Sequence, residues 1–452
     1  MAAESAPSPP SAPEHAPVAV RPLSASERAP RWGARVLRRE RMARSLVLLP
    51  GLYLLAALAL GVALPAIDRA RGGDHFLGID DAAAQSVLES IASGMIAFSG
   101  LVVSVAVLVV QFGAGQYSPR LVQIFRRDPV IKNALGLFVS PGVYALVAAG
   151  DIGGSDGNDA QTLTVLVGLL LMVLALLALF RFIGRLLDLM RPRRIYARLI
   201  EQARWAVPDV YPSLLAEEVE HRPYPVDATG TVLAHEHRDG VLAAVDRARV
   251  VRAAQAADAV VVVGPQLGTY VPHGAPVLQV HGGTAIDAAA LRGAVVFADG
   301  RTITQDPAFA MRCMVDVAIR ALSPAVNDPT SAVEGIDALG GLLLRLGQRR
   351  LGDAGIVDDE GALRLVLPTP GWDELIDLGL TEIRRYGADS PQIARRLRAL
   401  LDTLQEALPA VRAPAIERHR ALLEAAVARE YPDPLEHAFA STPDRLGLGG
   451  AA

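Results

Sequence analysis

Three things are scarce in this 452-residue chain, and each scarcity narrows what it can be. A single cysteine, Cys313, excludes an intramolecular disulfide and any metal site built from several thiolates. Lysine occurs once, at Lys132, so the basic charge is almost entirely arginine. Alongside abundant Ala, Gly and Pro this reads as coding bias rather than an arginine-based activity. Catalytic signatures are missing as well. No Walker loop, G-x-G-x-x-G or H-E-x-x-H is present. A formal net charge of −4 gives no case for nucleic-acid binding.

What the chain has is apolar sequence. Hydrophobic residues make up 51%, mean hydropathy is +0.31, and the excess lies before residue 190. Four runs have membrane-spanning length and polarity, at about 45–64, 91–112, 131–150 and 162–180. The first follows six arginines between Arg31 and Arg44; a leader of that length is too long for a signal peptide, so the run reads as an uncleaved anchor. The third contains Ser140-Pro141-Gly142, which predicts a kink whose freed carbonyls need partners. Asp128-Pro129 ahead of it reads as an N-cap followed by an N1 proline.

The second run carries the most distinctive pattern. Ser93, Ala97, Gly100, Ser104 and Gln111 recur at helical spacing, giving one small or polar face among Ile, Leu, Val and Phe. Such a face packs against protein, where the third run is one available partner, or lines water. Charged residues gather outside the apolar runs, which argues against proton- or ion-coupled transport. Arg and Lys are frequent in the N-terminal flank, in the 113–132 connector and after the fourth run, and sparse in the two remaining loops. That alternation predicts an inner-membrane protein with its N-terminus and C-terminal domain in the cytoplasm.

The remainder divides by pattern. Residues 1–30, rich in Pro, Ala and Ser, read as disordered, and 31–198 as the membrane domain. Residues 199–300 read as a β-rich domain, 301–430 as mainly helical, and 431–452 as a flexible tail. Helices are expected near 372–386, 391–407 and 412–429, and a strand at 362–367. The phrase GTYVPHGAPVLQV resembles a half of the capped barrel of biotinyl- and lipoyl-like domains, without the lysine that carries their group. The fold class is thus a four-helix transmembrane bundle followed by a cytosolic α+β region, a small barrel-like β part and then helices.

Three stretches together, SGLVVSVAVLVVQFGAGQYSPR, GTYVPHGAPVL and RTITQDPAFAMRCMVDVAIRALSPAVNDPTSA, resemble the domain-of-unknown-function 2254 family of predicted bacterial membrane proteins. The resemblance covers about residues 32–430. Its most specific positions are Gln116, Tyr117, Ser118, Pro119 and Arg120; Gln305, Asp306 and Pro307; and Ser323, Pro324, Asn327, Asp328 and Pro329. It implies an architecture and no chemistry.

Two constellations invite a ligand. His235 and His237 share a face of any strand, as two metal ligands would, with Glu236, His273 and His281 in the same region. A packed or solvated histidine pair explains them without a metal, since nothing fixes His273 or His281 nearby, and no metal or other cofactor is expected. The helix starts at Gln305-Asp306 and Asn327-Asp328 would lie close together in one antiparallel arrangement, where Arg301, Arg312 or Arg320 could help bind an anion. Ordinary capping explains both Asp-Pro pairs, and Arg312, Asp316 and Arg320 read as an ion-pair ladder. The functional expectation is an integral membrane protein, homo-oligomeric in the bilayer, acting as a channel or ligand-responsive regulator. The alternative is a membrane-anchored scaffold or sensor without transport.

Overall fold

The computed structural model describes residues 15–24, 27, 48–70, 81–116, 128–153, 161–189, 191–225, 230–236, 238–283 and 286–449. The chain forms two compact units, one of Arg38–Ile195 and one of Met1–Leu37 with Tyr196–Ala452.

The first unit is four apolar helices: α1 (Leu48–Ala70), α2 (Asp81–Gln116), α3 (Pro129–Gly153) and α4 (Thr162–Leu189). All four are long and apolar enough to cross a membrane. The run of weakest hydropathy, α3, turns out to be the hub: 56% of its apolar window is buried, against 17–28% in the other three. A helix surrounded by protein needs small residues for close approach more than it needs large apolar ones. Gly136 of α3 shows this, since a Cβ there would lie 2.5 Å from the Tyr53 ring of α1. Phe98, Phe138 and Phe182, from α2, α3 and α4, meet edge to face at 5.6 and 5.5 Å.

Helix α3 runs on through Pro141. The Ser99 hydroxyl of α2 lies 2.8 Å from the Phe138 carbonyl and 2.7 Å from that of Met95, an interhelical bond one residue beyond Leu137, whose carbonyl is the one Pro141 deprives of its N–H. Polar contacts mark both ends of the bundle. At one, Asp128 caps α3 through the Val130 N–H (3.0 Å) and accepts from Arg185 Nε (2.8 Å). At the other, Asp68 accepts from the Thr164 N–H (2.8 Å) and hydroxyl (2.7 Å), while Arg69 pairs with Asp151. These contacts fix an up-and-down antiparallel order. The expectation that charge stays outside the apolar runs is corrected at Lys132, buried within the third run, while Asp68, beyond the first run, is buried in the longer helix α1. The helices are longer than the apolar runs from which they were read.

The second unit contains strands β1 (His15–Pro22), β2 (His221–Pro225), β3 (Thr231–Ala234), β4 (Gly240–Val245), β5 (Ala259–Val263), β6 (Tyr270–Val271), β7 (Pro276–Gly282), β8 (Val295–Ala298), β9 (Ala354–Val357) and β10 (Leu363–Leu367). Seven form one sheet in the order β2-β1-β9-β10-β5-β7-β3, and three form another, β6-β4-β8. Helix α5 (Pro192–Val210) leads in from α4, and α6 (Arg247–Ala256) covers the large sheet through Val250, Val251 and Ala254. After the short α7 (Ala288–Arg292) come α8 (Pro307–Ala321), α9 (Pro329–Gly347), α10 (Trp372–Gly387), α11 (Pro391–Ala407), α12 (Ala413–Glu430) and α13 (Pro434–Ser441).

Three boundaries differ from the sequence reading. Residues 15–22, expected to be disordered, form an internal strand, antiparallel to β2 and parallel to β9, with Val18 and Val20 buried. Their ladder partners are some 200 and 335 residues distant, which local composition cannot register. The divide drawn at residue 300 is also absent, because β9 and β10 share a sheet with β5 and β7. The tail is ordered through residue 449: α13 is followed by a loop whose Thr442 and Gly449 carbonyls accept from the wholly buried Arg395, at 2.9 and 3.1 Å.

Candidate functional site

The polar face of α2 points away from its own bundle. Ser93, Ala97, Gly100, Ser104 and Gln111 are all exposed, and a Cβ on Gly94 or Gly100 would touch nothing within 4 Å. Helix α2 packs instead through Ala84, Leu88, Ile91, Ala92, Met95 and Val102. At about 100° per residue, that set centres on the side opposite the polar stripe. Helix α3 therefore takes the face opposite the one it was offered as a packing partner. Ile96, Leu101 and Val105 flank the stripe, whereas α1 and α4 turn bulky residues such as Leu55, Leu177 and Phe180 outward. The stripe hydroxyls bond locally, Ser93 to the Ser90 carbonyl (3.2 Å) and Ser104 to the Gly100 carbonyl (2.9 Å), so no hydroxyl is unsatisfied while the face stays open. Ser99, which joins α2 to α3, escaped the sequence reading, as did Asp68. The only available signal was that Ser99 follows Met95 by four residues, off the stripe.

The remaining family positions divide in two. Tyr117, Ser118, Pro119 and Arg120 lie outside the described residues, and Gln116 is the last residue of α2. The positions in the second unit are architectural. Gln305 is buried and bridges the backbone of Val245, accepting from its N–H (3.0 Å). Asp306 caps α8 at the Phe309 N–H (3.0 Å) and pairs with Arg301 at 2.9 Å. Burial raises the Asp306 carboxyl above its ordinary pKa, and Arg301 opposes that rise. Asp328 caps α9 at the Ser331 N–H (3.1 Å). Ser323-Pro324 closes the turn before it, where the Ser323 carbonyl accepts from Val326 and Asn327, and Asn327 adopts a left-handed φ of 48°.

Those two helix starts are not neighbours. Asp328 bonds to the Ala321 carbonyl at the end of α8, whereas Asp306 stands at its beginning, so a 15-residue helix of about 22 Å separates them. Each start is filled by its own carboxylate. Arg312 is committed to Glu382 in a two-pronged pair (2.6 and 2.7 Å) and to Asp316. These contacts raise its pKa further, the Glu382 bonds most. The anion-binding reading is thus withdrawn, and capping accounts for both motifs.

The histidines do not converge either. His235 is buried, stacks on Phe297 with ring centroids 3.8 Å apart, and bonds to the Arg238 carbonyl at 2.9 Å. His281 lies at the far end of the same strand pair, where β7 runs antiparallel to β3, and His273 is exposed. His237 lies outside the described residues. Among the described residues, no three His, Cys, Asp or Glu side chains group as metal ligands. Cys313 is buried on α8.

Comparison with known proteins matches the profile of a family described as predicted membrane protein (DUF2254) to residues 43–403. An uncharacterized protein of Mycobacterium bovis and another of Mycobacterium tuberculosis are each 30% identical over 373 residues, which is 79% of this chain and 70% of the relative. No solved structure matches.

Proposed function

We propose, for a chain that belongs to the predicted membrane protein family DUF2254, that copies of it associate in the inner membrane through the open polar stripe of α2. In this reading the stripes face one another and enclose a passive path for ions or small solutes, under the control of the soluble unit. The observation that carries it is the placement of Ser93, Ala97, Gly100, Ser104 and Gln111 on the helix side opposite the bundle contact. A stripe of hydroxyls, a glycine and an amide is poorly suited to lipid, and a second copy supplies either protein or water. Cytoplasmic termini fit the arginine distribution. They also fit the seating of β1, since a strand that precedes the first span and pairs with strands after the fourth requires an even number of crossings.

The back-bonded Ser93 and Ser104 hydroxyls favour a second reading, in which the stripe is a dry contact in a membrane-anchored scaffold or sensor. Replacing Ser93, Gly100 and Ser104 together by Leu separates the two. In the channel, purified protein in nanodiscs keeps its oligomeric mass while liposome flux falls at least tenfold. In the scaffold the mass drops to that of the protomer, and wild-type liposomes show no flux under voltage or tension.

A further inference from the structure

In sequence, α1 comes after Glu27 and α4 comes before α5. Glu27 and the end of α5 meet in one ionic cluster whose Glu27–Arg247 core is buried. Glu27, 5% exposed, receives both prongs of Arg21, at 2.8 and 2.9 Å, and the Ser24 N–H at 2.7 Å. Arg247, the first residue of α6 and 4% exposed, contacts the same carboxylate. It also donates to the Asp209 carbonyl (3.0 Å) and faces the Asp209 carboxylate at 3.4 Å. Arg21 reaches that carbonyl too, at 3.4 Å. Asp209 is the penultimate residue of α5, so two cations sit at the negative end of the helix dipole.

Burial by itself would raise the Glu27 carboxyl. The Arg21 bonds and the Arg247 charge outweigh that and hold it well below the usual carboxylate range, so mild acid leaves the cluster intact. Beside it the packing is loose. A half-open pocket of about 40 Å³ is lined by Ala19 and Arg21 of β1, by Val210 and Tyr211 at the end of α5 and by residues 350–354, enough space for a few water molecules. The Glu27–Arg247 pair at the centre of the cluster is a fastener that lets go all at once, because one partner left alone in the interior is strongly disfavoured.

We infer that the Arg21–Glu27–Arg247–Asp209 cluster is a latch. Engaged, it holds β1 and the end of α5 as one body on the soluble unit. Broken, it lets the two come away together while β5 and β7 stay paired, so that a pull on β1 or on α5 is felt by the other. The inference concerns the soluble unit and stands whether or not the membrane helices conduct.

Hydrogen–deuterium exchange of the full-length protein in lipid nanodiscs tests it, followed on peptides covering 15–22, 205–212, 259–263 and 276–282. Glu27→Gln should speed exchange at least tenfold in the first two and leave the last two within twofold. Ala19→Val, which adds side chain to the cavity, should slow exchange in the first two together. Should Glu27→Gln fail to fold, Asp209→Asn with Ala19→Val supplies the same comparison. Response of only one of the first two peptides, uniform acceleration of all four, or faster exchange in Ala19→Val would overturn the latch.

Discussion

His419 illustrates what a single buried side chain imposes on this molecule. It sits between α10 and α12, 1% exposed, with one ring nitrogen 2.7 Å from Asp377. Burial lowers its pKa from 6.5, more than Asp377 raises it, while Arg418 and Arg384 push the same way as burial. The folded state therefore binds fewer protons here than the unfolded state does. Its contribution to stability is complete above about pH 6.5 and is lost as pH falls from there through the lowered folded value. We expect the chemical-denaturation midpoint of the detergent-solubilised protein to drop between pH 7 and pH 5, and His419→Leu to flatten that dependence. An unchanged slope in the variant would assign the loss to other groups.

At the scale of elements, α2 has two faces whose tolerance should differ. Leu at Ser99 must displace bundle neighbours and strip the Phe138 carbonyl of its donor. Overpacking of that kind destabilises by about 1–3 kcal/mol, with about 1 kcal/mol more for the lost hydrogen bond. Leu at Ser93 meets open space on the exposed side and should leave the protomer's unfolding midpoint unchanged. Thermal unfolding of the two variants in detergent, under conditions where each is a single protomer, checks this directly. Equal destabilisation by both would mean that the stripe packs within the protomer. Such a distinction was half legible beforehand. The 3.6-residue period identified the stripe, but periodicity states only that residues share a face and leaves open which way that face turns.

Across the whole molecule, the seating of β1 makes a claim about sidedness. Residues 15–22 and the strands after α5 belong to one sheet, so both must lie on the same side of the bilayer. Because Cys313 is buried, the wild-type chain offers a low background for thiol labelling. Single cysteines at exposed Pro17 and Leu435 should react with an impermeant maleimide from the same side of membrane vesicles, and one at exposed Ala70, the last residue of α1, from the other. Labelling of Pro17→Cys and Leu435→Cys from opposite sides would contradict the sheet itself.

Local chemistry accounted for whatever depended on neighbours in the chain. Four apolar runs of sufficient length, the Asp-Pro helix starts at 128, 306 and 328, and the amphipathic helices after residue 370 were legible without tertiary information. Three-dimensional packing decided everything that depended on distant residues. It made the least apolar span the hub of the bundle, drew residues 15–22 into an internal strand and joined two presumed domains through β9 and β10. It set His235 and His281 at opposite ends of one strand pair, and it set the stripe of α2 facing outward. The physical reason is common to these cases. Helix formation and capping are local, whereas strand partners and buried faces are chosen by surfaces that meet only after folding.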